Sequence, residues 1–179
     1  MTRYGELTRK VDAFFARVAA RHPTDLACDS GCSDCCHARL TITAAEAAAI
    51  RGELAGWDAP RRAALVAWAS RPDDGRCAAL DAGGRCTIYA VRPIVCRSHG
   101  APIRMRDARS LPVVQSCHRN FTARGPAAAD ADCIIDQTTL SAMTLAVSRD
   151  AGFDPAARVE LAAVVCEASA PSATVAGDD

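Results

Sequence analysis

The sequence CDSGCSDCC, residues 28–36, decides how this chain folds, because it places four cysteines within nine residues. Thiolate is a soft ligand suited to zinc and iron, and ligands two or three residues apart can surround one ion within a single turn of chain. The spacing therefore predicts a metal site. Adjacent cysteines tend to point in different directions, so at least one of Cys35 and Cys36 is expected to serve a second metal, a bridge or a redox role.

Further cysteines downstream extend this cluster, and arginines lie beside them. The predicted metal ligands are Cys28, Cys32, Cys35, Cys36, Cys77, Cys86, Cys96 and Cys117. The neighbouring arginines are Arg76, Arg85, Arg97 and Arg119. Four thiolates around one divalent ion leave a charge of about minus two, which guanidinium groups would offset while favouring the thiolate form. The two remaining cysteines, Cys133 and Cys166, are predicted to be buried hydrophobic residues outside the site.

A disulfide framework is the main alternative interpretation of so many cysteines. The first 20 residues carry charges throughout and lack the apolar core of a secretory signal. No stretch of about 18 apolar residues could span a membrane. We therefore expect a cytoplasmic protein with reduced thiols, which favours metal. The c-type haem and bacterial ferredoxin motifs are not matched, and the Cys32–Cys35 pair lacks the βαβ pattern of a thioredoxin-like site.

Length and charge limit the domain organisation and the partners. A chain of 179 residues can form one domain with a hydrophobic core. We predict a single metal-binding domain over residues 1–168 and a disordered tail over residues 169–179, where small and polar residues show no periodicity. The 21 basic and 21 acidic residues cancel, so neither nucleic acid nor an anionic membrane is an expected partner. The metal ion is the one partner predicted, and the sequence identifies no protein partner.

Apolar periodicity and capping signals predict the helices of the first half. Residues 4–21 form an amphipathic helix, and residues 23–40 form a polar loop that carries the first cluster. Thr43 and Glu46 form a capping box that starts a helix ending near Leu54. Pro60 suits the first turn of another helix that ends before Pro72.

The second half is predicted to mix short strands with helices. A small hairpin or extended knuckle is expected around residues 86–89, a helical turn at residues 94–98, and two paired strands around Ile103 and residues 111–114. Helices are predicted over residues 134–147 and from Asp154-Pro155 to about Cys166. The expected fold class is mainly α (α+β), a small helical domain with a cysteine-rich, metal-organised loop region and a short β-hairpin.

Three short elements of the second half carry a family resemblance. They are Cys86-Thr87-Ile88-Tyr89, Arg92-Pro93 and Cys96-Arg97, and they follow the first cluster in order. Together these segments resemble the YkgJ-type cysteine-cluster family, named for a CxxCxxCC motif, over roughly residues 28–117. The resemblance implies a zinc- or iron-chelating domain, an iron–sulfur centre included. Some similar chains are associated with protein lysine methylation, including that of flagellin, but no methyl-donor site is identifiable. Three residues, rather than two, separate Cys28 from Cys32.

Three residues in or just after these segments are predicted to contact the bound cofactor. They are Arg92, Arg97 and His99. Arg92 could form a charge-assisted hydrogen bond with a thiolate or carboxylate, although a structural role is favoured. His99 could be a ligand, a proton shuttle or a hydrogen-bonding residue. The main functional prediction is a metal-binding protein, and the alternatives are an iron-dependent redox or methylation-associated enzyme and a protein of metal delivery or storage. No catalytic residue is assigned.

Overall fold

The structure is a computed structural model that describes residues 2–29, 31–72 and 74–169. Its helices are α1 (Arg3–Arg21), α2 (Ala44–Ala55), α3 (Ala59–Ala69), α4 (Ile94–Ser98), α5 (Gln137–Asp150) and α6 (Leu161–Cys166). Its strands are β1 (Thr41–Thr43), β2 (Ile103–Arg106), β3 (Pro112–Gln115), β4 (Ile135–Asp136) and β5 (Arg158–Glu160). About 49% of the structure is helical and 11% is strand, which confirms the predicted α+β class. Except for Ser169, the predicted tail lies outside the described residues.

Helix α1 joins two groups of core residues through one apolar face. Thr2 caps the helix by accepting a hydrogen bond from the backbone N–H of Gly5 at 3.1 Å. The first two turns pack against α4 and α5 through the cluster Leu7, Val11, Ile94 and Leu140. The last turns pack in the cluster Phe14, Val18, Ala101, Phe121, Ala129 and Cys133. The predicted amphipathic helix is thus confirmed, and it fixes the position of the segment that contains Cys96.

The largest core cluster lies between α2, α3 and α6. Its members are Ile42, Ala47, Ile50, Leu54, Trp57, Leu65, Ala79, Ile88, Leu161, Val164 and Val165. Cys77 and Cys86 pack against this cluster, and Ile88 belongs to it with 2% of its surface exposed. The segment that carries Cys77 and Cys86 is therefore anchored to the core by hydrophobic burial. Among the described residues, no helix has both the length and the apolar character that crossing a membrane requires.

Glu46 connects the start of α2 to the start of α4. Its carboxylate accepts hydrogen bonds from the backbone N–H and the hydroxyl of Thr43, at 2.8 and 2.9 Å. The other carboxylate oxygen accepts from the backbone N–H of Ile94 at 2.9 Å. The predicted capping box is present. The same buried side chain also accepts a hydrogen bond from one of the backbone N–H groups that have no partner within α4.

Replacing Glu46 with alanine is expected to reduce the free energy of unfolding by about 2 kcal/mol, because three buried hydrogen bonds are lost. Thr43→Ala is the control, since it removes the α2 cap but leaves the bond to Ile94, and we expect a loss of about 1 kcal/mol. Urea denaturation measures both values. Equal losses in the two variants would show that the link to α4 contributes nothing.

Two small sheets complete the fold. Strands β2 and β3 form an antiparallel hairpin, in which Ile103 faces Gln115, and β4 pairs parallel with β2. Strand β1 pairs antiparallel with β5, in a register that sets Thr41 opposite Glu160. The predicted pairing around Ile103 is confirmed. In the residue 86–89 region the described structure contains only an isolated bridge between Leu80 and Cys86, followed by a 3-10 turn.

Two predicted helix starts are wrong. The helix predicted from residue 134 begins at Gln137, because Ile135 and Asp136 form β4 and the Asp136 side chain then caps α5. The last helix begins at Leu161, not after Asp154-Pro155. The carboxylate of Asp154 closes a turn by accepting from the N–H of Ala156 at 2.9 Å, and the following residues form β5. Pairing with β1 overrides the local helical signal there.

Candidate metal centre

Cysteines from four separate segments meet at one cavity of about 590 Å³. Its lining includes Cys28, Cys32, Cys35, Cys86, Cys96 and Cys117. Cys36 and Cys77 are not in this lining. The backbone N–H of Cys77 donates to the carbonyl of Cys36 at 2.7 Å, and Cys77 lines a smaller cavity of about 150 Å³. The structure therefore brings six of the eight predicted ligands to one cavity, from the polar loop, the segment around Cys86, α4 and the chain after β3.

The adjacent cysteines Cys35 and Cys36 place their sulfur atoms on the same side. A 3-10 turn over Asp34–Cys36 sets the two Sγ atoms 3.8 Å apart. A tetrahedral zinc ion with bonds of about 2.3 Å has sulfur–sulfur edges of about 3.8 Å. One ion could therefore contact both residues, although the sequence suggested that they point apart. The two thiols share a hydrogen bond, which lowers the pKa of Cys35 to about 6 and raises the pKa of Cys36.

Cys86 and Cys96 have raised pKa values and are therefore protonated thiols at neutral pH. Burial raises the pKa of Cys86 to about 11 and that of Cys96 to about 12. The charges of Cys77 and Cys86 further raise the pKa of Cys96, which means that these groups lie within electrostatic reach of one another. A metal ion that binds here must displace protons, because the thiolate is the ligand.

Cys28 lies in a tightly built corner of the cavity. The buried amide of Asn120 donates to the sulfur of Cys28 at 3.2 Å and to the carbonyl of Gly100 at 2.8 Å, and its oxygen accepts from the N–H of Ala27 at 2.9 Å. Burial raises the pKa of the Cys28 thiol, and the charges of Cys117 and other cysteines raise it further. Sequence analysis missed Asn120 as a site residue, and its position three residues after Cys117 is the one available signal.

Gly100 approaches Cys28 so closely that no larger residue fits. Its φ of +97° lies in the left-handed region, and a Cβ atom there would lie 2.7 Å from the sulfur of Cys28 and 3.0 Å from the amide nitrogen of Asn120. Real Cβ contacts do not reach 2.7 Å. The glycine after His99 is therefore required by the space that the cysteine side chain occupies.

Arg119 is the predicted guanidinium neighbour with a direct contact to a cysteine. Its Nη1 atom lies 3.9 Å from the sulfur of Cys32 and 3.3 Å from a carboxylate oxygen of Asp34. His118 also faces Asp34, with 3.4 Å between Nε2 and the carboxylate. Positive charge therefore stands beside the sulfur of Cys32.

Arg92, Arg97 and His99 all line the cavity. The guanidinium of Arg97 is buried and donates to the carboxylate of Asp12 at 2.6 Å, to the carbonyl of Arg92 at 2.9 Å and to the carbonyl of Ala90. This arrangement gives Arg97 a positioning role between α1 and α4. Its predicted contact with a cofactor stays a prediction.

The other two side chains present different chemistry to the cavity. The Arg92 guanidinium lies 3.8 Å from the centre of the Tyr89 ring, and its charge partly offsets the burial that raises the pKa of Cys86. Its buried Nε has no hydrogen-bond partner among the described residues. His99 is exposed at the cavity wall, and partial desolvation of its imidazole lowers its pKa, so the neutral imidazole is favoured. A neutral imidazole can be a metal ligand.

The cavity is wider than a closed metal site. Within residues 2–29, 31–72 and 74–169, three potential ligand atoms lie within 4.8 Å of one another only at His22, Asp130 and Cys133, outside this cavity. The cysteine sulfurs must therefore approach one another to enclose an ion. The donor set itself fits a soft or borderline metal, since it consists of thiols with an imidazole beside them.

Residues 27–134 match a family model described as "Putative zinc- or iron-chelating domain", named CxxCxxCC. The chain belongs to the CxxCxxCC family. The matched range contains all eight cysteines of the candidate centre together with Asn120 and Gly100. In this CxxCxxCC chain the additional residue before Cys32 is accommodated by a turn, in which the N–H of Cys32 donates to the carbonyl of Asp29 at 3.0 Å and Gly31 has a φ of +91°. No curated protein and no solved structure matches the chain.

Proposed function

We propose that this protein holds zinc or iron in the cysteine cavity, in a reducing compartment such as the cytoplasm. The observation that carries the proposal is the convergence of cysteines from four sequence segments on one cavity, six of them in its lining. Membership of a chelating family supports it. An iron–sulfur centre is one form that the bound metal could take, because such clusters are held by cysteine thiolates.

The electrostatic contacts divide the ligands into two groups, which supports two centres. The first group contains Cys28, Cys32 and Cys117, and the charges of Cys117 and Cys32 act on Cys28. The second group contains Cys36, Cys77, Cys86 and Cys96, because the charges of Cys77 and Cys86 act on both Cys36 and Cys96. Cys35 influences members of both groups. His99 lines the same cavity and is the proposed fourth donor of the first group.

The first test is the metal and acid-labile sulfide content of untagged protein purified without oxygen, with its absorption spectrum. Zinc without visible absorption would support a structural or regulatory centre, since zinc has no redox chemistry. Iron with sulfide and a broad band near ~400 nm would support an iron–sulfur centre. Protein that contains neither metal and takes up neither on reconstitution under reducing conditions would overturn the proposal.

Cys96→Ser is expected to lower metal content and stability together, because serine cannot replace a thiolate ligand. Bound metal stabilises the folded state by mass action. At a free metal concentration of about 30 times the Kd, losing the metal should lower the free energy of unfolding by about 2 kcal/mol. Cys166→Ser is the matched control, because Cys166 lies in α6, outside the cavity lining. Elemental analysis and thermal unfolding measure the two effects. Wild-type metal content in Cys96→Ser would refute the ligand assignment.

A second cavity favours one alternative, an iron-dependent redox or methylation-associated enzyme. This cavity, of about 640 Å³, shares His99 and Cys117 with the cysteine cavity, and Arg39 and Arg158 also line it. A substrate bound there would reach the wall of the metal centre. If the bound metal proves to be zinc closed by four protein ligands, chemistry at that metal is excluded and the second cavity has no catalytic role there.

A further inference from the structure

A second group of metal-binding side chains lies away from the cysteine cavity. One ligand atom from each of His22, Asp130 and Cys133 lies within 4.8 Å of the other two. His22 follows the last residue of α1, and Cys133 ends the 3-10 turn Ala131–Cys133. The group combines one nitrogen, one oxygen and one sulfur donor, and none of the three residues lines the cysteine cavity.

The imidazole of His22 is oriented for ligation. Its Nδ1 lies 3.6 Å from the carboxylate of Asp25, which in turn accepts from Arg124 at 2.6 Å. Its Nε2 accepts a long hydrogen bond of 3.4 Å from the backbone N–H of Asp130. Because Nε2 accepts this bond, the neutral imidazole carries its proton on Nδ1. An ion that binds to Nε2 would displace this long hydrogen bond. A carboxylate behind the imidazole is the usual support of a metal-binding histidine.

The end of α1 favours a cation at this group, and one of the three side chains is open to solvent. The carbonyl end of α1 has a partial negative charge, and His22 stands at that end. His22 and Cys133 are buried, whereas half of the Asp130 side chain is exposed. Arg21 donates to Asp130 at 3.0 Å, but a carboxylate has enough lone pairs to accept a guanidinium and to bind an ion.

We propose that His22, Asp130 and Cys133 form a metal site separate from the cysteine cavity, with Asp25 as the orienting residue of His22. Three mixed protein ligands with a solvent-facing side fit zinc or a similar divalent transition-metal ion, with water in a fourth position. The site does not rest on the function proposed for the cysteine cavity. It also assigns a role to Cys133, which sequence analysis placed outside any metal site.

The test is ¹¹³Cd NMR of the full-length protein loaded with cadmium under reducing conditions. The shift of bound cadmium depends on how many sulfur ligands it has, so an ion with one sulfur ligand is distinguished from one in a sulfur-rich centre. We expect one resonance of the single-sulfur type in the wild type. Asp130→Asn should lower the cadmium affinity of the site that gives this resonance tenfold or more, because an amide oxygen is a poorer ligand than a carboxylate.

Asp132→Asn is the matched control, because Asp132 also pairs with Arg21 but is not in the ligand group. It should leave the single-sulfur resonance at wild-type affinity. His22→Gln should abolish that resonance. If this variant does not fold, the result for Asp130→Asn decides, because Asp130 is exposed and its replacement should not prevent folding. A wild-type spectrum without the resonance, or one unchanged by Asp130→Asn, overturns the proposal. A wild-type spectrum with the single-sulfur resonance but no sulfur-rich resonance would instead count against metal binding in the cysteine cavity.

Discussion

Gly100→Ala is expected to lower the metal content and to reduce the free energy of unfolding by about 4 kcal/mol, since backbone strain and overpacking add. The added methyl group would have to displace the sulfur of Cys28 or the amide of Asn120, which lie 2.7 and 3.0 Å from its position. Either movement breaks the hydrogen bond between these two residues. Urea denaturation and elemental analysis of the same preparation measure the two effects.

Gly152→Ala separates the backbone contribution from the steric one. Gly152 has a φ of +80°, similar to that of Gly100, but a Cβ atom there would have nothing within 4 Å. The control should therefore lose about 1 kcal/mol of stability and keep its metal. If the two alanine variants lose the same stability and both retain metal, the contact between Gly100 and Cys28 does not shape the site.

Arg97→Met is expected to destabilise the protein by about 3 kcal/mol. Removing the buried guanidinium leaves one carboxylate and two carbonyl groups without the hydrogen bonds that Arg97 donates to them. Methionine has an unbranched apolar side chain that keeps part of the packing. Asp12, half-exposed, can be solvated by water, so the carbonyls of Ala90 and Arg92 account for much of the loss. Chemical denaturation in urea measures the change.

Arg104→Met is the control for Arg97, because Arg104 is exposed on β2 and its replacement should change stability by less than about 0.5 kcal/mol. Metal content distinguishes the two roles considered for Arg97. A variant with wild-type stability and reduced metal would show that Arg97 acts on the bound metal rather than as a link between α1 and α4.

Sequence patterns were sufficient for elements whose signals are local. The spacing of Leu7, Val11, Phe14 and Val18 predicts α1, and the Thr43–Glu46 capping box predicts where α2 begins. Both signals lie within the element itself, so no distant contact can override them easily. Cysteine spacing likewise pointed to six residues that line the cavity, whereas Cys36 and Cys77 are not in its lining. Their role as metal ligands stays a prediction.

The elements that were missed depend on partners far along the chain. Strand β5 is three residues long and exists because it pairs with β1. No local pattern distinguishes so short a strand from the first turn of a helix. Asn120 and His22 were missed for the same reason. Their contacts with Cys28 and Cys133 depend on tertiary packing, which a single sequence does not display.

The contact between Asn120 and Cys28 also affects how the protein is assembled during translation. The two residues are separated by 92 positions, so at about 5–20 residues per second the ribosome takes about 5 to 18 s to supply the partner of the first cysteine. During this interval the four thiols of the first loop emerge without the residues that later enclose them. A nascent chain is therefore most vulnerable to oxidation or to capture of a wrong ion before Asn120 is synthesised.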